Sequence, residues 1–268
     1  MEDYKKIANE ARKKVLEMVH LASASHIGSN FSCIDVMAVL FSKLNLDKDL
    51  KPDRDRFLLS KGWAAASLFY FLSEKGVIPK KDLETYGQPG SIYMGLAETD
   101  VRGVEVSGGA MGHGLPMALG MALGAKFAEE KWKTYILMSD GELDCGTTWE
   151  SAALAAQHKL NNLTVIVDSN KFQAMGATDD VLDMEPLPDK WKSFNWDVIE
   201  IDGHNFEEIE QAINKSFENT RTKPLVIIAR TIKGKGVSFF ERKLEWHYKN
   251  IDKENYINAL AELNSNGK

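Results

Sequence analysis

Two short apolar runs, residues 134–138 and 163–167, flank an amphipathic stretch over residues 149–160, and this strand–helix–strand unit narrows the possible folds more than any other feature of the chain. The first run closes on Ser139-Asp140-Gly141-Glu142 and the second on Asp168-Ser169-Asn170-Lys171, which sets Asn170 thirty positions after Asp140 (170 − 140). A carboxylate and a side-chain amide thus stand at the tips of two successive strands. Mg²⁺ favours such a site, because it takes one or two hard protein oxygens and the rest from phosphate or water. Strand tips at the carboxyl edge of a parallel sheet are also where α/β folds bind ligands.

Further strands are expected at residues 56–60, 196–201 and 225–229, alternating with helices. That alternation predicts an α/β, doubly wound parallel sheet with helices on both faces. At 268 residues the chain suits one large domain, 1–268. Its first part, 1–50, reads as helical: apolar positions at helical spacing over 3–22, a small polar loop over 23–30, and a helix over 33–44 entered through Ser32 as N-cap. Residues 264–268 read as a frayed tail.

Charge and cysteine usage remove several function classes. A formal net charge of −6 argues against nucleic acid or an anionic membrane as the main partner. Two cysteines, Cys33 and Cys145, make no disulfide framework and suit a reducing, cytoplasmic setting. The charged N-terminus is unlike a signal peptide, and the longest charge-free stretch, 106–125, is glycine-rich and interrupted by His113, unlike a membrane span. Six histidines without Cys/His ligand spacing make no zinc case. No GxxxxGK[ST] or post-strand GxGxxG string supports a generic nucleotide-binding fold.

Seven strings occur in a family's order: Ser25-His26-Ile27-Gly28-Ser29; residues 53–62, which end in Leu59-Ser60-Lys61-Gly62; residues 107–114 with Gly108-Gly109-Ala110-Met111; the Asp140–Asn170 pair; Asp202-Gly203-His204; Thr231-Ile232-Lys233-Gly234-Lys235-Gly236; and Trp246-His247. Over essentially its whole length the chain resembles the N-terminal, diphosphate-binding part of transketolases. That resemblance implies a thiamine diphosphate-binding fold of the diphosphate (PP) type and transfer of a two-carbon ketol unit between sugars. It implies Mg²⁺ (or Ca²⁺) held by Asp140, Asn170 and the Phe172 carbonyl. Cofactor contacts carried over are Ser29, Lys61, Trp63, Gly109, Met111, Gly141, Glu142, Asn170, Lys233 and His247, with His26 and His247 as catalytic groups. Gly141 would let backbone approach the diphosphate without a Cβ in the way, and Met111 would help bend the cofactor.

The family's pyrimidine-binding domain does not follow within the 268 residues. The chain therefore resembles the N-terminal subunit of a split transketolase, active with a C-terminal partner subunit in an α₂β₂ heterotetramer and acting on small sugar or ketoacid substrates.

Trp63 and Leu96 stand where the family usually has histidines, Cys145 where it has an interface glutamate, and Ser139 where it has glycine. An indole and an isobutyl group accept no hydrogen bond, and burying a hydroxyl against them costs about 1–3 kcal/mol. These departures predict a donor that lacks a C1 hydroxyl, such as pyruvate or a 1-deoxyketose, or else an unusual sugar. Two other readings compete: the α-subunit of a 2-oxoacid dehydrogenase, which has a similar Asp-Gly…Asn unit, and a non-catalytic, cofactor-binding regulatory subunit.

Overall fold

A computed structural model describes residues 3–218 and 220–266. Five strands, β1 (Arg56–Leu59), β2 (Thr134–Ser139), β3 (Leu163–Ser169), β4 (Asp197–Asp202) and β5 (Leu225–Arg230), form one sheet. Every pairing is parallel, in the order β1-β2-β3-β5-β4. In β3 all seven residues are buried, and β2 and β5 are buried but for their last residue. Such near-continuous apolar runs are what a sheet covered on both faces requires.

Side chains alternate along each strand and feed two separate cores. Leu59, Tyr135, Leu137, Ile166 and Ile227 point into one of them. It is closed by α1 (Tyr4–Leu21), α2 (Ile27–Lys43), α3 (Ala65–Glu74), α8 (Phe206–Phe217) and α9 (Lys253–Asn266). Leu58, Ile136, Met138, Val165 and Ile228 point into the other, under α4 (Gly114–Phe127), α5 (Gly146–Gln157) and α7 (Leu187–Ser193). The one-turn α6 (Thr178–Val181) lies in the connection between β3 and α7. Connecting β2 to β3, α5 lies on one face, and α8, connecting β4 back to β5, lies on the other. Right-handed crossovers produce this when the chain reverses direction across the sheet. The sheet is therefore doubly wound, as its sequence pattern predicts.

Two local expectations are corrected. The helix expected from Cys33 begins at Ile27, and its N-cap is His26 rather than Ser32. His26 sits in the left-handed region (φ 69°), and its carbonyl accepts from Ser29 and Asn30 N–H (3.1 Å each). The first turn is polar because it faces the carboxyl edge of the sheet, so composition alone reads it as loop. At the other end, residues 264–266 continue α9 instead of fraying. Leu263 is buried and its carbonyl accepts from Asn9 Nδ2 (3.0 Å), which anchors the last turn. Residues 267–268 of the expected tail lie outside the described residues.

Candidate active site

Parallel register brings four strand ends to one edge. Ser139 pairs with Asp168, and Asp168 with Ala229. The segments that follow β1, β2, β3 and β5 begin Ser60-Lys61, Asp140-Gly141, Asn170-Lys171 and Thr231-Ile232. The first three of these segments, with the glycine loop, the first turn of α2 and residues 247–248, line a cavity of about 510 Å³.

Behind Lys61 and Asn170, which line it, stands Asp168, buried at the end of β3. Its Oδ2 accepts from Lys61 Nζ, from Ser32 Oγ (2.7 Å) and from Asn170 Nδ2 (3.0 Å), and its Oδ1 accepts from Thr231 Oγ1. Burial alone would push this carboxyl up, but the Lys61 ammonium and these donors hold it below the usual range. Because Asp168 takes the Asn170 amide hydrogens, the Asn170 Oδ1 is the atom left to coordinate or accept; the Phe172 N–H meets it at 3.0 Å.

Asp140, one strand over, is buried as well. Its oxygens accept the N–H groups of Gly141 (3.0 Å) and Lys171 (2.6 Å). Burial, and next the Asp168 carboxylate, push it up to about 7. No salt bridge among the described residues involves Asp140. A buried carboxylate so placed is stabilised by a cation. The donor set of one carboxylate, one amide oxygen and a nearby carbonyl suits Mg²⁺ or Ca²⁺ that completes its shell from a diphosphate. Among the described residues there is no group of three or more His, Cys, Asp and Glu able to hold a metal by itself.

The glycine loop lies against the end of β1 at backbone contact. A Cβ on Gly62 would fall 2.5 Å from the Gly109 nitrogen, and Gly109 itself has φ +104° with its Cβ position 2.7 Å from Leu96 Cδ2. Glu142 holds this loop from behind: it accepts from Ser60 Oγ and from the Gly112 N–H (3.0 Å). Buried to 1% exposure, it braces the wall more than it faces the space. Met111, 58% exposed, projects beside the opening.

At the other end His26 lies flat against Trp63, with centroids 4.2 Å apart and planes 7° apart, and edge-on to His247 at 4.9 Å. Asn30 creates that juxtaposition. Its Nδ2 donates to the His26 carbonyl (3.0 Å) and the Trp63 carbonyl (3.1 Å), while its Oδ1 accepts from Ser67 N–H (3.0 Å). Burial, then the Lys233 and Lys61 cations, pull His26 down to about 4 and His247 to about 3. Both imidazoles are therefore neutral near pH 7 and able to accept a hydrogen bond.

Most residues expected at the site line the cavity: His26, Ser29, Lys61, Trp63, Gly109, Met111, Gly141, Glu142, Asn170, Phe172 and His247. Lys61 contributes its stem while its amine turns to Asp168. Two expected residues do not line it: Asp140, whose buried oxygens accept the Gly141 and Lys171 N–H groups, and Lys233, 1% exposed, which reaches the wall through Ser29 Oγ (3.3 Å) and His247 Nδ1 (3.1 Å). His204 caps a buried ion pair at Asp35 (2.7 Å). His113 is exposed at the start of α4, away from the lining residues. The sequence reading missed Asp168, Asn30 and the Asp35 cluster. For Asp168 a signal exists: an acid inside the otherwise apolar run Leu-Thr-Val-Ile-Val-Asp-Ser needs a buried partner.

Fold and site together define an α/β domain with a polar cavity at the carboxyl edge of its parallel sheet. Residues 3–263 match the family described as "Transketolase, thiamine diphosphate binding domain", and the chain belongs to that family. It is 40% identical over 255 residues to one subunit of the apulose-4-phosphate transketolase of Phocaeicola vulgatus, covering 94% of this chain and 90% of that one. One subunit of the 6-deoxy-6-sulfo-D-fructose transketolase of a Clostridium species is 37% identical over 266 residues, covering 97% and 96%. In structure it superposes on transketolase from Campylobacter jejuni with a TM-score of 0.91 and 29% identity, covering 98% of this chain and 43% of that one. The chain thus spans nearly the full length of those two transketolase subunits and under half of that solved transketolase. It is a transketolase-type transferase chain carrying the N-terminal, thiamine diphosphate-binding domain, not a 2-oxoacid dehydrogenase α-subunit. No helix among the described residues is long and apolar enough to cross a membrane.

Proposed function

We propose that this chain works in the cytoplasm as the N-terminal half of a two-subunit, thiamine diphosphate-dependent transketolase, moving a two-carbon ketol unit between small sugar or sugar phosphate substrates. The observation that carries the reading is Asp140, a buried carboxyl pushed up to about 7, which follows β2 one strand over from Asn170, a residue that lines the 510 Å³ cavity together with Gly141. Mg²⁺ (or Ca²⁺) would be held by Asp140, the Asn170 Oδ1 and the Phe172 carbonyl, and Gly141 with the glycine loop would receive the diphosphate and the pyrimidine. When bound, thiamine diphosphate supplies the reacting carbon that accepts the ketol unit.

This chain's own part is to hold and orient. The glycine loop admits close backbone approach, and Glu142 keeps it in place. His26 and His247, neutral at pH 7, stand where substrate hydroxyls enter and can accept a hydrogen bond. Ser29 accepts from Lys233 Nζ through its hydroxyl on the cavity wall (3.3 Å).

Trp63 (43% exposed), Met111, Met175 (77%) and Tyr248 (62%) rim the cavity. So much exposed apolar surface beside a polar site supports a partner that covers it. The partner would be a C-terminal subunit with the pyrimidine-binding domain, in an α₂β₂ assembly. Free Cys33 and Cys145 accord with a reducing compartment.

The indole on His26 and the Leu96 side chain on Gly109 favour an alternative that is narrower in its donors, transfer of an acyl rather than a ketol unit from a donor without a C1 hydroxyl, since neither group returns a hydrogen bond. Co-purification with the partner subunit, followed by calorimetric titration with thiamine diphosphate and Mg²⁺, tests the main reading. Cofactor binding that ignores Mg²⁺ would overturn the cation site. Parallel turnover of pyruvate, hydroxypyruvate and ketose phosphates tests the donor: strong preference for hydroxypyruvate or ordinary ketose phosphates sinks the narrower reading. Cofactor retention without any turnover beside the partner would leave a regulatory subunit.

A further inference from the structure

Lys233 is a buried ammonium, and no ion pair among the described residues includes it. Its Nζ donates to Ser29 Oγ and His247 Nδ1, both on the cavity wall. Burial, followed by the Lys61 charge, draws it down to about 8. A charge in such a place stays there only if its backbone is fixed. That backbone is irregular: β5 ends at Arg230, and the chain turns through Gly234 at φ +79°.

Three side chains that do not line the cavity hold this strap. Arg12 of α1 grips Asp35 of α2 with both guanidinium ends (2.8 and 2.9 Å). Asp35 Oδ2 also receives His204 Nδ1, at 2.7 Å. On the far side of that ring, Nε2 lies 2.8 Å from the Ile232 nitrogen. A backbone N–H can only donate, so Nε2 is the bare nitrogen, Nδ1 carries the hydrogen, and Asp35 accepts it. Arg12 Nε also donates to the Lys235 carbonyl (2.8 Å). The cluster therefore grips the strap on both sides of Lys233, at Ile232 and at Lys235. Burial alone would push Asp35 up, but the Arg12 guanidinium and the His204 hydrogen bond hold it at about 2, so the anchor stays ionised.

We propose that Arg12, Asp35 and His204 are a positioning relay for Lys233: through the Ile232 N–H and the Lys235 carbonyl they set where its amine meets Ser29 and His247. His204 touches neither substrate nor cofactor and acts through Lys233. The inference rests on the proposed function only for the purpose of Lys233, and its test needs no cofactor, so either can fail without the other.

His247 is the reporter. After burial, Lys233 bears on it most, then His26 and Lys61, and these keep it near 3. In the full chain labelled at histidine, NMR titration follows its imidazole through His204→Gln and His204→Asn. Glutamine is long enough to place an oxygen where Nε2 stood, whereas asparagine ends near Nδ1 and keeps only the Asp35 contact. Gln is expected to leave His247 at its wild-type value, and Asn to raise it by about one pH unit or more as the Lys233 cation moves away. An unchanged His247 in Asn, or a rise in Gln as large as in Asn, overturns the relay. Should the Asn variant not fold, Arg12→Lys provides the second measurement. It keeps a cation for Asp35 and loses the Lys235 contact; the same rise is expected, and no rise overturns the proposal.

Discussion

At the Asp140 end of the cavity the polar side chains are buried and cross-linked to one another: Asp168 alone joins α2, β1, β3 and the strap after β5. At the His26 end the contacts are stacked rings and backbone carbonyls, and Trp63, Met111 and Tyr248 remain open to solvent. The first end is finished within this chain and suits a group of fixed shape and charge. The second is half a surface, adaptable in sequence and ready to be completed by another chain. A site that serves one cofactor in many reactions is expected to divide this way, since the cofactor is constant and the substrate is not.

The largest expected effect is on the cross-linked end. Asp168→Ala leaves the buried Lys61 ammonium without its carboxylate, and urea denaturation should show a loss of about 3–5 kcal/mol. A loss below about 1 kcal/mol would mean that Asp168 is not the keystone described. Next comes Asp140→Asn, which should keep the fold and weaken Mg²⁺-dependent thiamine diphosphate binding by about 100-fold, equivalent to about 2.8 kcal/mol. Calorimetry reads it, and undiminished affinity would remove Asp140 from the cation site.

Gly109→Ala probes the seam between the two ends. It sets a Cβ 2.7 Å from Leu96 Cδ2 at a φ of +104°, and about 1–3 kcal/mol of stability should be lost. Leu96→Ala in the same chain should recover only part of that, because the backbone strain remains.

Opposite pH responses should separate the ends further. Asp140 titrates about 7 in the fold against about 4 unfolded. In the cation-free chain its contribution to stability is full below about pH 4 and lost as pH rises toward 7. His26 and His247 are depressed to about 4 and about 3, so their contribution is full above about pH 6.5 and lost as pH falls through those values. Mg²⁺ affinity should rise as pH climbs to about 7 and then level off, because proton and cation compete for the Asp140 oxygens. Denaturation of wild type beside Asp140→Asn and His26→Ala across pH 4–8 separates the two slopes, and slopes of the same sign would contradict them.

Smallest in stability, about 1 kcal/mol or less, should be Trp63→Ala, since the indole is 43% exposed. Its effect belongs in substrate preference: Trp63→His should shift turnover, in the assembly with the partner, toward donors bearing a C1 hydroxyl. An unchanged donor profile would show that the indole does not choose the substrate.

Strand–helix alternation, the doubly covered sheet and the residues at the strand tips follow from the sequence because they depend on short-range periodicity. That Asp140 and Asn170 stand at two successive strand tips is legible for the same reason, whereas Gly109 came with the family resemblance. The resemblance carried by seven strings placed His26, Lys233 and His247 near one another, though they lie far apart in the chain. Tertiary structure alone decided what those groups touch. Ser32 reads as a helix cap and is a donor to Asp168, Lys61 reads as a cofactor contact and spends its amine on the same carboxylate, and His204, in the sequence one member of a family string, accepts the hydrogen bond that holds Ile232. Each such role is a contact across 28 to 136 residues, set by sheet register and helix packing, and a pattern read along the chain contains no term for it.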